Sequence, residues 1–261
     1  MGISTRFWRY AAATWLVLCA APPMAAEKAV THPDFTGVWT NAPASPAAGG
    51  SAQGAPPAGG ARGGGAAPPP YTPYAKARID AFQKLTTGTD EAPGLYCVGS
   101  GMPGSMQGAG GYPMEIFQRP EQMFIIYELH SEIRRIYFGD RNAPEADRVP
   151  SRSGYSSGRW EGDTLVIETN NLVEQVEQRS AHSDQATIVE RYRLDGKDAQ
   201  GRRILTAEMT MTDPKFYTAP VVATKRWVEV PNGRLLPYEC TAETWHERVE
   251  ELARKAGVPV P

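Results

Sequence analysis

Two acidic residues stand out, because strand alternation would set each of them among apolar neighbours. Successive side chains of a strand point to opposite faces. In the segment Met123–His130, one face would carry Phe124, Ile126, Glu128 and His130. In Thr187–Leu194, one face would carry Ile188, Glu190, Tyr192 and Leu194. If these faces turn inward, Glu128 and Glu190 are buried acids that must be paired, hydrogen-bonded or protonated. Burial raises a carboxyl pKa, which is the condition for general acid–base chemistry near neutral pH. The other fate of either acid is a structural ion pair with Arg134, Arg135 or Arg191. His182, in the polar stretch Ala181-His182-Ser183-Asp184, could reach over a barrel mouth as base or donor. Of the Arg134-Arg135 pair, only one side chain can face a cavity. Arg135 is favoured because it shares a face with Ile133 and Tyr137, and a cavity guanidinium suits a carboxylate or phenolate. Tyr127, Tyr192, Trp160, Glu115 and His130 complete the expected substrate contacts. Residue type alone would allow His130, His182 and Glu128 to bind a metal, but no ligand spacing supports it, and no metal or cofactor is expected. Met102, Met106 and Met114 offer thioethers that suit Cu(I), though methionine equally fills cores.

The elements that would position these residues are mostly strands. Segments Tyr112–Arg119, Met123–His130, Glu132–Phe138, Tyr155–Trp160, Thr164–Thr169, Thr187–Leu194, Arg203–Thr212, Val221–Val230 and Arg234–Cys240 are short and separated by turn residues such as Gly139-Asp140, Asp195-Gly196 and Pro231-Asn232-Gly233. Regular spacing of this kind predicts a mainly β fold, an antiparallel sandwich or barrel. No helical stretches lie between the strands, as a βαβ fold would need. Gly158 to Leu165 reads as a hairpin turned by Glu161-Gly162-Asp163, with Trp160 and Leu165 packing. Asp34 to Trp39 predicts a first strand anchored by Trp39. A short helix is expected over Pro73 to Leu85, from its partial apolar stripe, and a C-terminal helix over Ala242 to Ala256, ending at Gly257 and Pro259. The glycine-rich stretch from Cys97 to Gly111 is a long connection, and such loops tend to be functional.

Composition sets the frame. The chain has 261 residues and a formal charge of −2, with no basic stripe, which argues against nucleic acid as partner. Arg6 and Arg9 precede an apolar run from Ala11 to Ala21, followed by small residues at Ala25 and Ala26. That is the pattern of a cleavable export signal over residues 1–26, too short to span a bilayer. The expected organisation is then an N-terminal strand segment over 27–42, a disordered Ala/Gly/Pro linker over 43–70 and a β domain over 71–261. No span is expected in the mature chain, and its location would be periplasmic or secreted. Of three cysteines, Cys19 would leave with the signal, and Cys97 and Cys240 would pair in an oxidising compartment. A two-cysteine metal site lacks the close Cys/His spacing that zinc uses.

Several chemistries lack their signatures. There is no strand-turn-helix glycine fingerprint, no Gly-Lys-Ser/Thr loop and no Gly-x-Ser-x-Gly elbow. Hydride transfer with a bound dinucleotide and phosphoryl transfer are therefore poor candidates.

The set Tyr112-Pro113-Met114-Glu115-Ile116, Tyr127-Glu128, Arg134-Arg135-Ile136-Tyr137, Gly158 to Val166, His182-Ser183-Asp184 and Asp213-Pro214-Lys215 resembles a large, uncharacterised family of secreted bacterial proteins. The likeness covers about Tyr71 to Cys240, and the tryptophan hairpin is its most specific part. The family carries a Cys-x-Pro-Pro-Gly loop where this chain has Cys97 to Gly104 without that motif. The resemblance implies an exported β domain and supplies no mechanism. Phe35-Thr36-Gly37-Val38-Trp39 is also similar to the opening Gly-x-Trp strand of calycin barrels, a likeness of fold alone.

Two functions fit these readings. The favoured expectation is a cofactor-independent lyase, isomerase or hydratase, in which Glu128 and Glu190 move protons, His182 assists and Arg135 holds an anionic group. The alternative is a non-catalytic periplasmic binding barrel for a small apolar or aromatic ligand, walled by Tyr112, Tyr127, Tyr137, Tyr155, Tyr192 and Trp160. An envelope interaction protein is a third possibility.

Overall fold

Runs rich in β-branched, aromatic and methionine residues form nine strands that close into one barrel. The computed structural model describes residues 32–42, 69–89, 93–108, 111–178, 180–238 and 243–259. The chain divides at Thr31/His32, and the barrel belongs to the unit from His32 onward. The expected signal at 1–26, nearly all of the 43–70 linker, and Cys240 lie outside the described residues.

The strands are β1 (Gly37–Asn41), β2 (Met114–Gln118), β3 (Gln122–Tyr127), β4 (Glu132–Phe138), β5 (Tyr155–Glu161), β6 (Thr164–Asn170), β7 (Thr187–Lys197), β8 (Arg203–Thr212) and β9 (Val221–Glu229). Each pairs with its sequence neighbour, and β9 pairs back onto β1 through Trp39↔Glu229 and Asn41↔Trp227. All pairs are antiparallel except β4–β5, which is parallel. Nine strands that strictly alternated in direction would meet as a parallel pair at the closure, so an odd ring needs a parallel seam somewhere. Here the seam is at β4–β5, made possible by a crossover, residues 139–154, that returns the chain to the upper rim. "Upper" denotes the end at Asn41, Met114, Tyr127, Glu132 and Tyr155. At Gly158 the seam is tight, since a Cβ there would lie 2.5 Å from the Phe138 ring.

The first strand, both helices and eight of the nine other expected strands are present. The exception is Arg234–Cys240, which is irregular as far as Tyr238. β9 already has β1 on its open side, and the Leu236 N–H donates to the Glu128 carboxylate (2.7 Å) instead of to a ladder.

Inward side chains from all nine strands meet in a single packed cluster. Fully burying one large apolar side chain contributes roughly 1.5–3 kcal/mol, so the cluster dominates the stability of the barrel. The lower end is closed by residues 32–36. His32 stacks on Trp160 (4.5 Å between centroids), Phe35 is fully buried, and its carbonyl accepts from Trp39 Nε1 (2.9 Å). The upper end is closed by the loop 98–108, whose Met102 and Met106 are fully buried in the core cluster. It is also covered by the β6–β7 and β8–β9 connections and by α1 (Pro73–Thr86). Thr72 caps α1 by accepting from Ala75 N–H (3.2 Å), and its own hydroxyl donates to the Lys215 carbonyl (2.6 Å). Helix α2 spans Glu243–Ala256. No helix among the described residues is long and apolar enough to cross a membrane.

Candidate functional site

The barrel interior holds one polar knot. Arg134 on β4 and Glu190 on β7 face each other across the core, 2 % and 0 % exposed. Arg134 Nη1 donates to Glu190 Oε1 (3.2 Å) and Nη2 to Glu190 Oε2. The rest of the guanidinium is held by Ser156 on β5 (Nε to Oγ, 3.0 Å) and Thr169 on β6 (Nη2 to Oγ1, 2.7 Å). Tyr192 donates to Glu190 Oε1 (3.0 Å). Burial works against the Arg134 charge, yet the adjacent Glu190 carboxylate outweighs it and holds the guanidinium firmly protonated. Burial, reinforced by the Glu190 charge, pushes the Tyr192 phenol well up. Tyr127 is pushed up as well, again chiefly by burial, with the neighbouring Arg134 guanidinium acting the other way. Tyr127 lines a recess of about 10 Å³ under the upper loop, the scale of a single water molecule.

Glu190 therefore lies on a buried inward face, as its alternation predicts, and meets the structural alternative, an ion pair with Arg134. Both its oxygens are already engaged. Tyr192 is inward and buried, and so is Tyr127. The other expected site residues lie outside the knot. Glu128 does not face the interior. The strand ends at Tyr127, Glu128 turns into a helical conformation, and its carboxylate caps Leu236 N–H. The inward residues of β3 are Met123, Ile125 and Tyr127. Both faces of Gln122–Tyr127 carry apolar residues, so periodicity could not choose between them. His130 sits beyond the strand in a left-handed turn (φ 60°), edge-on to Tyr238, with its pKa lowered mainly by burial. Glu115 shares the outward face of β2 with Phe117. Arg135 is exposed on the outer face of β4, while Arg134 enters the core. Trp160 is at the lower end, far along the barrel axis from the upper-rim residues. His182 is fully buried in the upper cap. Its Nδ1 lies 3.1 Å from the Ser180 carbonyl and its Nε2 is unpartnered. Burial lowers its pKa. Thus the knot gathers Glu190, Tyr192 and Tyr127, and neither Glu128 nor His182 hydrogen-bonds to it.

The second feature is a cleft in the barrel wall. The parallel pair β4–β5 is joined only from Ile136↔Ser156 to Phe138↔Gly158. Above that, β4 parts from the incoming chain, and a cleft of about 170 Å³ opens, lined by Ile133, Arg134, Arg135, Tyr137, Ser151, Ser153, Gly154, Tyr155 and Ser156. Because it lies in a gap and not on one face, consecutive residues Arg134 and Arg135 both reach it. Gly154 is required by its φ of +64° and by Asn170 O, which a Cβ would approach to 2.5 Å. Tyr137 and Tyr155 stack (5.3 Å, 17°), and Arg148 lies over Tyr155 (4.6 Å). The Tyr155 hydroxyl is held by Ala143 N–H (2.6 Å). Ser153 donates to Glu132 (2.6 Å), which also accepts from Gly101 N–H (3.0 Å) and Ser105 (2.7 Å). One carboxylate thus ties the cleft rim to the upper loop.

Sequence reasoning missed Ser156, Thr169 and Glu132, and named Arg134 only as a structural partner for the acids. The one usable signal was charge balance, since an acid inside a barrel demands a cation from another inward face. Among the described residues, no group of three or more His, Cys, Asp or Glu side chains could hold a metal ion. No protein-family model, curated protein or solved structure matches the chain.

Proposed function

We propose that this protein is an exported, non-catalytic binding protein for a small molecule, and that the ligand enters through the wall of the barrel between β4 and β5. The observation that carries this reading is the cleft of about 170 Å³ where the parallel seam parts, with hydroxyl, phenol and guanidinium groups around it. The central core, by contrast, is packed with side chains. The proton-transfer reading relies on Glu128 and Glu190 sharing one dry space. Glu190 is engaged on both oxygens, and Glu128 serves the chain at Leu236. Binding needs neither.

Export rests on the basic start, the short apolar run and the small residues after it. The Cys97–Cys240 disulfide belongs to the same proposal. It is supported by the segments leading to the two cysteines, which both border His130: Gly94 on one side and the Tyr238 ring, 5.2 Å away, on the other.

The test is blockade of the cleft. Ile133 lines it and is 44 % exposed, so Ile133→Trp fills its mouth with little effect on the core. Native mass spectrometry of protein purified from its own envelope should show a small-molecule adduct in the wild type and none in the variant. An adduct retained at full occupancy by Ile133→Trp would place the ligand elsewhere and defeat the proposal.

A further inference from the structure

Resting on that reading, we infer that the wall cleft is built for a small aromatic carboxylate that also carries a hydroxyl donor. Three observations lead there.

Size comes first. A closed cavity of about 150 Å³ accepts benzene, so an open cleft of about 170 Å³ has room for one ring. Its aromatic wall is held in place before any ligand arrives. Tyr155 is stacked on Tyr137, covered by Arg148 and fixed through its hydroxyl by Ala143 N–H.

Charge comes second. The charged side chains lining the cleft are Arg134 and Arg135, with no carboxylate among the lining residues. Glu190 balances Arg134 from inside the barrel. Arg135 has no carboxylate at ion-pair distance among the described residues, and neither has Arg148 over Tyr155; the carboxylate at the rim, Glu132, is held by neutral donors, so the cleft is positive on balance. A guanidinium presents planar paired donors that match a carboxylate. One ring that carries negative charge therefore fits the cleft better than a larger polyanion would.

Hydrogen-bond polarity comes third. A serine hydroxyl has one proton and two lone pairs. Ser151 gives its proton to the Gly154 carbonyl (3.3 Å) and Ser153 gives its proton to Glu132 (2.6 Å). Ser156 accepts from Arg134 Nε and shares a hydrogen bond with Thr169 (2.8 Å). With their protons directed into the protein, Ser151 and Ser153 offer the cleft lone pairs, and a ligand hydroxyl is the complementary group.

The experiment is calorimetric titration of the full folded chain with four probes: 4-hydroxybenzoate, benzoate, 4-hydroxybenzamide and phenol. The expected order places 4-hydroxybenzoate tightest. The neutral amide should be weaker by about tenfold, as loss of one charge-assisted contact predicts. Arg135→Gln should erase the difference between acid and amide, and Ile133→Trp should abolish binding of both. If the amide binds wild type as tightly as the acid, and Ile133→Trp still abolishes binding, the anionic ligand class is overturned while the wall cleft survives as a site. If the acid binds equally well to Ile133→Trp, the wall cleft itself is overturned. No heat from any of the four probes, with wild-type folding verified by circular dichroism, overturns the ligand class; the adduct comparison by native mass spectrometry then decides the cleft on its own.

Discussion

The polar knot in the core and the cleft in the wall lie next to each other and share Arg134 and Ser156, yet they differ in one respect. In the knot, the guanidinium and the carboxylate are matched partner for partner: Arg134 meets Glu190, Ser156 and Thr169, and Glu190 also meets Tyr192. In the cleft, Arg135 is left over, and Ser151 and Ser153 donate their protons to the chain itself. The same residue types therefore serve two ends. Where every partner is inside the chain, polarity fixes the fold. Where one is wanting, polarity is available to a second molecule. Burial of an acid is thus a poor guide to chemistry until its partners are counted.

The sharpest way to break this comparison is to remove half of the knot. Glu190→Ala leaves Arg134 charged and buried, and breaking such a pair costs about 3–5 kcal/mol. Urea denaturation should show that loss. The double variant Arg134→Met, Glu190→Leu should recover most of it, because a well-packed apolar pair is often as stable as the ion pair it replaces. If Glu190→Ala is as stable as wild type, the knot is not structural.

Next in size is Glu132, which joins cleft rim to upper loop. Glu132→Ala leaves Ser153 and the Gly101 N–H without their acceptor, while Ser105 keeps the Gly101 carbonyl, and should cost about 1–3 kcal/mol. Faster hydrogen exchange confined to loop 98–108 and residues 151–155 would locate the effect, and exchange rising equally over the whole barrel would contradict the proposed tie.

The upper cap offers a pH measurement of intermediate size. His182 has a folded-state pKa below its unfolded value of about 6.5. Between the two values the unfolded chain takes up a proton that the folded chain refuses. Stability from this group is therefore complete above the unfolded pKa and is lost as pH falls from there toward the lowered folded value. The slope for one proton is at most about 1.4 kcal/mol per pH unit. Denaturation midpoints between pH 7.5 and 5 should decline less in His182→Gln than in wild type. His130, lowered in the same direction, supplies a remainder that persists. Identical pH profiles for the two proteins would show that His182 does not titrate on unfolding.

The smallest expected change in stability is at Arg135. It is exposed, and Arg135→Gln should shift stability by no more than about 0.5 kcal/mol, while weakening carboxylate binding about tenfold. A large loss of stability there would erase the distinction between matched and unmatched charge.

Much of this architecture is legible in the residues alone. The strand segments, the turns between them, Trp39 as anchor and both helices can be read from spacing and residue type. Glu190 is legible too, because Ile188 and Tyr192 share its face while Arg191 and Arg193 mark the other. The faces of β3 and β4 are not. Gln122–Tyr127 is apolar on both sides, and in Glu132–Phe138 the isoleucines fall on opposite faces, Ile133 outside and Ile136 inside. In each case three-dimensional closure chose the face. The cleft is beyond reach for a different reason. It arises from which strands become neighbours, and the parallel β4–β5 pairing depends on a crossover that local pattern does not announce.

That pairing has a further consequence. The ring is two meanders, β1–β4 and β5–β9, clasped at β9–β1 and at β4–β5. The second meander is joined by contacts close in sequence and is suited to form early. The β9–β1 clasp joins residues 186 to 190 positions apart, whereas the β4–β5 partners are 20 apart, within the range of the β6–β7 pairs. The β4–β5 clasp has three paired positions, as few as β9–β1 and β1–β2, so it is one of the places where the ring can open. A molecule lodged in the mouth of that clasp would bridge its two lips, and whatever favours the closed ring over the open one is favoured by it in turn. Ligand and latch would then be one object.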